Sequence, residues 1–278
     1  MSKTPKKRAV PKDAVGIAAV EVAKLLRRKS ALESDRIRAA TIVLFYRYMS
    51  GSNMFDRHLY GFLPIDMPIA KAIADELGAI PKEDLDAVHL GRANEVLCDG
   101  SNGSYYTPLD ELVRPIVAKT FEPIFRTIEA DGPVTLEKIL SLRVCDPAVG
   151  AGVFLITAID YLAERLMAAG YSGLDAARRT VACYCVYGVD IDAVSVFACK
   201  AAITLHCKGF RMSHDWLDDN IKHGDALVGL TNSQIKAFHW KKDAPVDPVL
   251  SPLIDKQVRV EVATRKARMV EFARDAAR

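Results

Sequence analysis

The chain has 278 residues, of which half are apolar and 26% are charged, a balance typical of soluble globular proteins. No run of about 18 apolar residues occurs, so neither a membrane span nor a membrane partner is predicted. The formal charge of +3 allows a local nucleic-acid-binding patch without arguing for one. Residues 1–12 are polar and basic and lack the apolar core of a signal peptide. We therefore predict a cytoplasmic protein with a flexible tail, a DNA-contacting arm being the alternative.

Residues 13–99 are predicted to form a helical N-terminal domain. Apolar residues recur at helical spacing from Val15 to Leu26 and from Asp35 to Tyr48. The segment from Asp84 to Leu97 is interpreted as another helix, and Ser34, Asp35 and Asp66 offer capping oxygens near helix starts.

Residues 100–230 show a different pattern, in which apolar runs alternate with helices. A helix from Leu109 to Glu129 and a short one from Thr135 to Leu140 come first. Repeated strand, turn and helix then predict an α/β domain with a parallel, doubly wound sheet that is incomplete. Residues 231–278 are interpreted as a loop and a charged helix that could dock a partner. The predicted strands cover 142–145, 181–189 and 220–223, and the helices between them cover 153–169, 173–180 and 193–207.

The six cysteines show no metal-binding pattern. None forms a C-x-x-C pair, and no other cluster has zinc-ligand spacing, so no metal site is predicted. Buried free thiols in a reducing compartment are the preferred interpretation. The cysteines are Cys98, Cys145, Cys183, Cys185, Cys199 and Cys207.

Each of the three predicted strands is followed by an acidic residue. Asp146, Asp190 and Asp225 stand at these strand ends, and ligands of open α/β sheets bind outside the carboxyl ends of the strands. After Asp146, Gly150 and Gly152 would let a backbone approach a ligand, and the next helix would present free N–H groups to an anion. A tight strand-to-helix turn without any ligand is the alternative for the glycines.

The same residues indicate what kind of ligand would fit. A carboxylate at Asp190 can accept hydrogen bonds from both hydroxyls of a ribose, and Asp225 could accept one from an adenine amino group. Asp192 is interpreted as a helix N-cap. Leu155 stands where the dinucleotide fingerprint requires its third glycine, which argues against a nicotinamide or flavin cofactor.

Together these segments resemble the DNA adenine (N6) methyltransferases of restriction–modification and phage-defence systems. The stretch from Asp146 to Phe154, D-P-A-V-G-A-G-V-F, is similar to their first motif, D-P-A-C-G-S-G-x-F. Residues 103–108, 188–192 and 224–229 resemble the upstream, ribose and adenine motifs, in the same order. The resemblance covers about residues 88–230 and implies a Rossmann-like sheet that binds S-adenosylmethionine (SAM).

The resemblance also implies a role for each matched residue. Thr107 and Pro108 would meet the methionine moiety, over a floor made by Asp146, Gly150 and Gly152. Asp190 would hold the ribose and Asp225 the adenine amino group. Phe154 would line the methyl-transfer pocket, with a core position as the alternative. The motifs add further cofactor contacts at Tyr106, Pro147, Ile191 and Ala226.

The family's catalytic motif has no counterpart in these residues. That motif is an Asn or Asp, two prolines and an aromatic residue, whereas no two prolines are adjacent here and Asp247-Pro248-Val249 is the nearest match. No catalytic residue is therefore identified. We expect one half of a split DNA methyltransferase, whose second subunit supplies the catalytic loop and target recognition. A truncated product and a non-catalytic SAM-binding or assembly subunit are the alternatives, and RNA or protein remains open as a substrate.

Overall fold

The structure is a computed structural model that describes residues 14–28, 33–52, 66–98, 109–208 and 215–227, with isolated positions at 252, 256, 260 and 263. The described chain is mostly helical and contains a small parallel sheet of three strands, so it is an α/β fold. None of the described helices is both long and apolar enough to cross a membrane.

The N-terminal helices follow the apolar periodicity of the sequence closely, with one exception. The helix predicted to begin at Asp84 starts four residues later, because residues 82–84 form a separate 3-10 turn. Asp86 Oδ1 then accepts the N–H of Val88 at 3.0 Å, which satisfies the start of the helix. The cap predicted at Asp66 is confirmed, since its carboxylate accepts the N–H of Ile69. The cap predicted at Ser34 and Asp35 was wrong, because both residues already lie in the helix and its N-cap, Glu33, makes no side-chain cap hydrogen bond. The helices are α1 (Ala14–Arg27), α2 (Ser34–Ser50), α3 (Met67–Gly78) and α4 (Val88–Leu97).

The segment from Leu109 onward joins these helices to the sheet. A π-helical turn at Leu109–Val113 leads into α5 (Arg114–Ala130), and Thr135 caps the short α6 (Leu136–Leu140). The strands and helices then alternate, and the short helix at Asp215–Asn220, just before the third strand, was not predicted. They are β1 (Val144–Asp146), α7 (Val153–Ala168), α8 (Leu174–Tyr184), β2 (Val186–Asp190), α9 (Ala193–His206), α10 (Asp215–Asn220) and β3 (Ile221–His223).

The prediction of a second strand beginning at residue 181 was wrong. Residues 181–184 form the last turn of α8, and Cys185 ends that helix by donating its N–H to the carbonyl of Val181 at 2.8 Å. Val181 is completely buried together with Ala177, one helical turn earlier. A short apolar run fits a buried helix end and a buried strand equally well, and here packing against the core selects the helix.

The sheet places all three carboxyl ends at one edge. The strand order is β1-β2-β3 and both pairings are parallel, with Asp146 opposite Gly188 and Asp190 opposite His223. Helix α9 packs on β2 and β3 and also on α2 and α4 of the N-terminal region. The N-terminal helices are thus held against the helix that begins at the acidic end of β2.

Three predicted segments lie mostly or wholly outside the described residues, the first of them being the basic tail of residues 1–12. In the C-terminal helix predicted from Asp255 to Arg278, the described positions Lys256, Val260 and Ala263 are helical and exposed. The upstream motif with Tyr106, Thr107 and Pro108 falls outside the described ranges.

Candidate functional site

Asp190 connects the glycine loop to the end of β2. Its Oδ2 accepts the N–H of Gly150 at 2.7 Å, and its Oδ1 accepts the N–H of Asp192 at 2.8 Å. Each carboxylate oxygen has a second lone pair, so two further hydrogen bonds can be accepted from a ligand. The two backbone N–H groups fix the direction in which those lone pairs point.

Asp146 lies within electrostatic reach of Asp190. Burial raises the pKa of the Asp146 carboxyl, and the negative charge of Asp190 raises it further, while the N–H that Ala148 donates at 3.0 Å opposes both effects. The ionised carboxylate is therefore destabilised where it stands. A positively charged group placed beside it would be attracted.

The two glycines of the loop have different roles. Both have positive φ values, +54° at Gly150 and +88° at Gly152. Among the described residues, no heavy atom would lie within 4 Å of a Cβ on Gly150, so no described residue packs against this part of the loop. A Cβ on Gly152 would lie 2.7 Å from the Sγ of Cys199 on α9, so this glycine is needed for close packing.

The loop is also seated on β2. Val149 donates its N–H to the carbonyl of Val189 at 2.9 Å, and its side chain packs over Gly188. A Cβ on Gly188 would lie 2.8 Å from a methyl carbon of Val149. The absence of a side chain at Gly188 thus allows Val149 of the loop to pack closely against the sheet.

Residues at the end of β3 donate hydrogen bonds to backbone carbonyls at the end of β2. Gly224 donates its N–H to the carbonyl of Asp190 at 2.9 Å, and His223 donates from Nε2 to the carbonyl of Ile191 at 3.0 Å. Asp225 follows immediately, is exposed, and accepts the N–H of Leu227. The structure therefore brings the ends of all three strands together.

The other predicted site residues surround this junction unevenly. Ile191 presents an apolar side chain that is 65% exposed, and Pro147 and Ala226 are also exposed. Phe154 is half-buried and packs against the core. At least part of the Phe154 side chain therefore occupies the core position that was the alternative to a pocket-lining role.

Residues of the N-terminal helices contact the segment that follows β2, and the sequence analysis did not identify them. Arg38 on α2 is 3% exposed and donates to Asp192 Oδ1 at 2.6 Å and to the Sγ of Cys98 at 2.6 Å. Burial alone would lower the pKa of Arg38, but its bonds to Asp192 and Cys98 hold that pKa above its ordinary value. A charged residue among the buried positions Ile37, Ala40 and Thr41 is the signal that could have revealed it.

Asp192 has the capping role that the sequence predicted. Its Oδ1 accepts the N–H of Val194 at 3.1 Å, at the start of α9. Its Oδ2 accepts the hydroxyl of Ser195 at 2.7 Å, and Asn94 of α4 donates to that same hydroxyl. Burial by itself would raise the pKa of Asp192, but the bonds from Ser195 and Arg38 hold it below its ordinary value.

The described cysteines agree with the expected free thiols, with one exposed exception. Five of the six are buried and Cys145 is exposed, and no disulfide joins any of them. Burial raises the pKa of both the Cys183 and Cys185 thiols to about 12, so these thiols stay protonated and unreactive at neutral pH. Among the described residues, no group of three or more His, Cys, Asp or Glu could hold a metal ion.

No protein-family model matches the chain, and no curated protein does. A solved structure of the ATP-dependent Type ISP restriction-modification enzyme LlaBIII bound to DNA is similar over 89% of this chain, at 15% identity and a TM-score of 0.38. The matched region is 17% of that enzyme's chain. At this TM-score the similarity carries no conclusion about function.

Proposed function

We propose that this chain binds SAM at the junction of its three strand ends. The observation that supports this most is the pair of mutually repelling carboxylates, Asp146 and Asp190, beside the glycine loop. SAM carries positive charge on its sulfonium and ammonium groups and has two ribose hydroxyls that donate hydrogen bonds. The pyrophosphate of a dinucleotide would instead bring negative charge towards both carboxylates.

The residues of the junction fit the parts of SAM. Asp190 has two lone pairs for the ribose hydroxyls, and the exposed face of Ile191 offers an apolar surface for the adenine. Asp225 would accept from the adenine amino group. Asp146 would face the positive methionine end, together with Thr107 and Pro108, and the open side of Gly150 leaves room for the ligand. Bound SAM supplies an activated methyl group.

The reaction that we propose is site-specific methylation of DNA adenine. The target base must be turned out of the duplex and its amino group held in line with the methyl group. The 278 residues contain no Asn/Asp-Pro-Pro-aromatic motif for this task, so the catalytic loop and target recognition would come from a segment or subunit outside them. The second candidate is a non-catalytic SAM-binding subunit of a restriction or phage-defence complex, which the same missing motif favours.

Two measurements test this proposal. Calorimetric titration of the purified chain with SAM, and separately with NAD, should give binding of SAM and none of NAD. Transfer of labelled methyl groups to DNA should then require a second polypeptide that carries the missing motif. Absence of SAM binding would refute the proposal, and methylation by the chain alone would refute its need for an external catalytic loop. SAM binding without methylation in any combination would favour the non-catalytic subunit.

Asp190→Asn is expected to weaken SAM binding by about 1.5–3 kcal/mol, roughly ten- to a hundred-fold in Kd. The amide keeps the size of the side chain but loses the charge, and its nitrogen cannot accept from a hydroxyl or from Gly150. Calorimetric titration measures the change. Asp84→Asn is the control, because it removes the same charge from an exposed turn of the N-terminal region. Equal affinities for the two variants would exclude Asp190 from the site.

Asp146→Asn is expected to stabilise the unliganded protein while it weakens SAM binding. The folded-state pKa of Asp146 is raised. The protein therefore loses stability as the pH rises through that pKa and the carboxyl ionises. The gain in Tm should therefore be present at pH 7 and disappear below about pH 3, where the carboxyl is protonated in both states. The amide oxygen can still accept from Ala148. Thermal unfolding across this pH range checks the sign, and a lower Tm at pH 7 would contradict it.

A further inference from the structure

A buried polar network extends from the N-terminal helices to the end of β2. Arg38 donates to Asp192, Asp192 accepts from Ser195, and Asn94 donates to Ser195. All four residues are at least nine-tenths buried. The network joins two helices of the N-terminal region, α2 and α4, to the first turn of α9.

This network is more than a helix cap requires. An N-cap carboxylate needs only a backbone N–H of the first turn, and such caps are commonly exposed to water. Here the second oxygen is also bonded, and a guanidinium is buried to reach the first. Burying a charged pair is costly and is weak evidence of a role in stability alone. A role in fixing one particular conformation of residues 190–192 accounts for it better.

The conformation of residues 190–192 determines how Asp190 is held. The backbone N–H of Asp192 is donated to Asp190 Oδ1 at 2.8 Å. The side chain of the same residue is held by Arg38 and Ser195, which restrains its backbone, and a change in the backbone torsions of Asp192 would redirect this N–H. The hydrogen bond from the N–H of Gly150 to the other oxygen of the Asp190 carboxylate would remain.

We infer that Arg38 is a positioning residue for the ribose-binding carboxylate Asp190. It acts through Asp192, and the N-terminal helices therefore contribute to nucleoside recognition without touching the ligand. The inference rests on the proposed binding of SAM, since it assigns a support to the residue that would hold the ribose. It applies to selectivity for the ribose hydroxyls, because those are the groups that the aligned lone pairs of Asp190 would accept.

The test compares S-adenosylhomocysteine with its 2′,3′-dideoxy analogue, which lacks both hydroxyls. Calorimetric titration of the full chain gives the ratio of the two affinities. In Arg38→Gln the affinity for S-adenosylhomocysteine should fall about three- to thirty-fold, the range for residues that act without touching the ligand. Affinity for the dideoxy analogue should hardly change, so the ratio should approach one. Arg38→Lys, which keeps the charge, should restore part of the ratio.

A matched control separates positioning from general loss of stability. Leu77→Ala opens a cavity in α3, which packs on α1, and Leu77 is completely buried. This variant should be destabilised, as thermal unfolding will show, yet keep the wild-type ratio of affinities. If Arg38→Gln does not fold, Arg38→Lys and Ser195→Ala provide the measurement, since both loosen Asp192 with smaller changes.

The outcomes distinguish the two proposals. Failure of the unmodified chain to bind S-adenosylhomocysteine or SAM overturns the proposed function and this inference with it. Binding by the unmodified chain, with an unchanged ratio in the folded Arg38 and Ser195 variants, overturns the inference alone. An equal loss of affinity for both ligands also overturns it, because that result indicates damage to the whole site.

Discussion

Gly152→Ala is expected to destabilise the protein by about 2–4 kcal/mol, the sum of backbone strain at positive φ and steric overlap. The φ of +88° is unfavourable for any residue with a Cβ. The new methyl group would also lie 2.7 Å from the Sγ of Cys199, in the interior between the loop and α9. Urea denaturation gives the free energy of unfolding.

Two further variants separate these contributions. Gly150→Ala adds a methyl group at φ +54° that would have no heavy atom of the described residues within 4 Å, so it should show strain alone. In the double variant Gly152→Ala/Cys199→Ala, the nearest remaining atom of residue 199 would be its Cβ at 3.5 Å, an ordinary contact. Adding the methyl group at position 152 should therefore cost less free energy of unfolding in the Cys199→Ala background than in the unmodified protein. Equal losses at Gly150 and Gly152 would contradict the packing role of Gly152.

Asp192→Ala is expected to cost about 3–5 kcal/mol of unfolding free energy, because it leaves a buried guanidinium without its main partner. Cys98 remains as a hydrogen-bond partner at 2.6 Å, and Asp35 lies 3.3 Å away with a carboxylate that is 70% exposed. The variant also removes the cap of α9, which adds to the loss. The same denaturation experiment measures it.

The control for this prediction is the double variant Arg38→Met/Asp192→Ala, which removes both charges and should recover part of the lost stability. The pair also gives a pH dependence. Because the pKa of Asp192 lies below its ordinary value, its contribution is present at neutral pH and is lost as the pH falls through that lowered pKa. If the double variant is less stable than Asp192→Ala alone, the unpaired charge of Arg38 is not the cause of the lost stability.

Most helices were predictable from the sequence because each carries its own pattern. The apolar spacing of α1 and α2, and the Gly-x-Gly turn before α7, are local signals that later packing did not change. The boundary between α8 and β2 was not predictable, since the apolar run that begins at Val181 suits either structure. Packing of Val181 against the core decided it.

For the candidate site, the sequence by itself determined the chemistry at each strand end, namely Asp146, the two glycines, Asp190 and Asp225. Each of these residues stands in a short motif at the end of a predicted strand, so its place in the fold could be predicted from order and spacing. The contact between Gly150 and Asp190, and the coupling of Asp146 to Asp190, depended on the parallel pairing of β1 with β2. Only the tertiary structure brought Arg38 to Asp192, across 154 positions of sequence. No local pattern encodes a contact of that separation, because it exists only when α2 and α4 pack against α9.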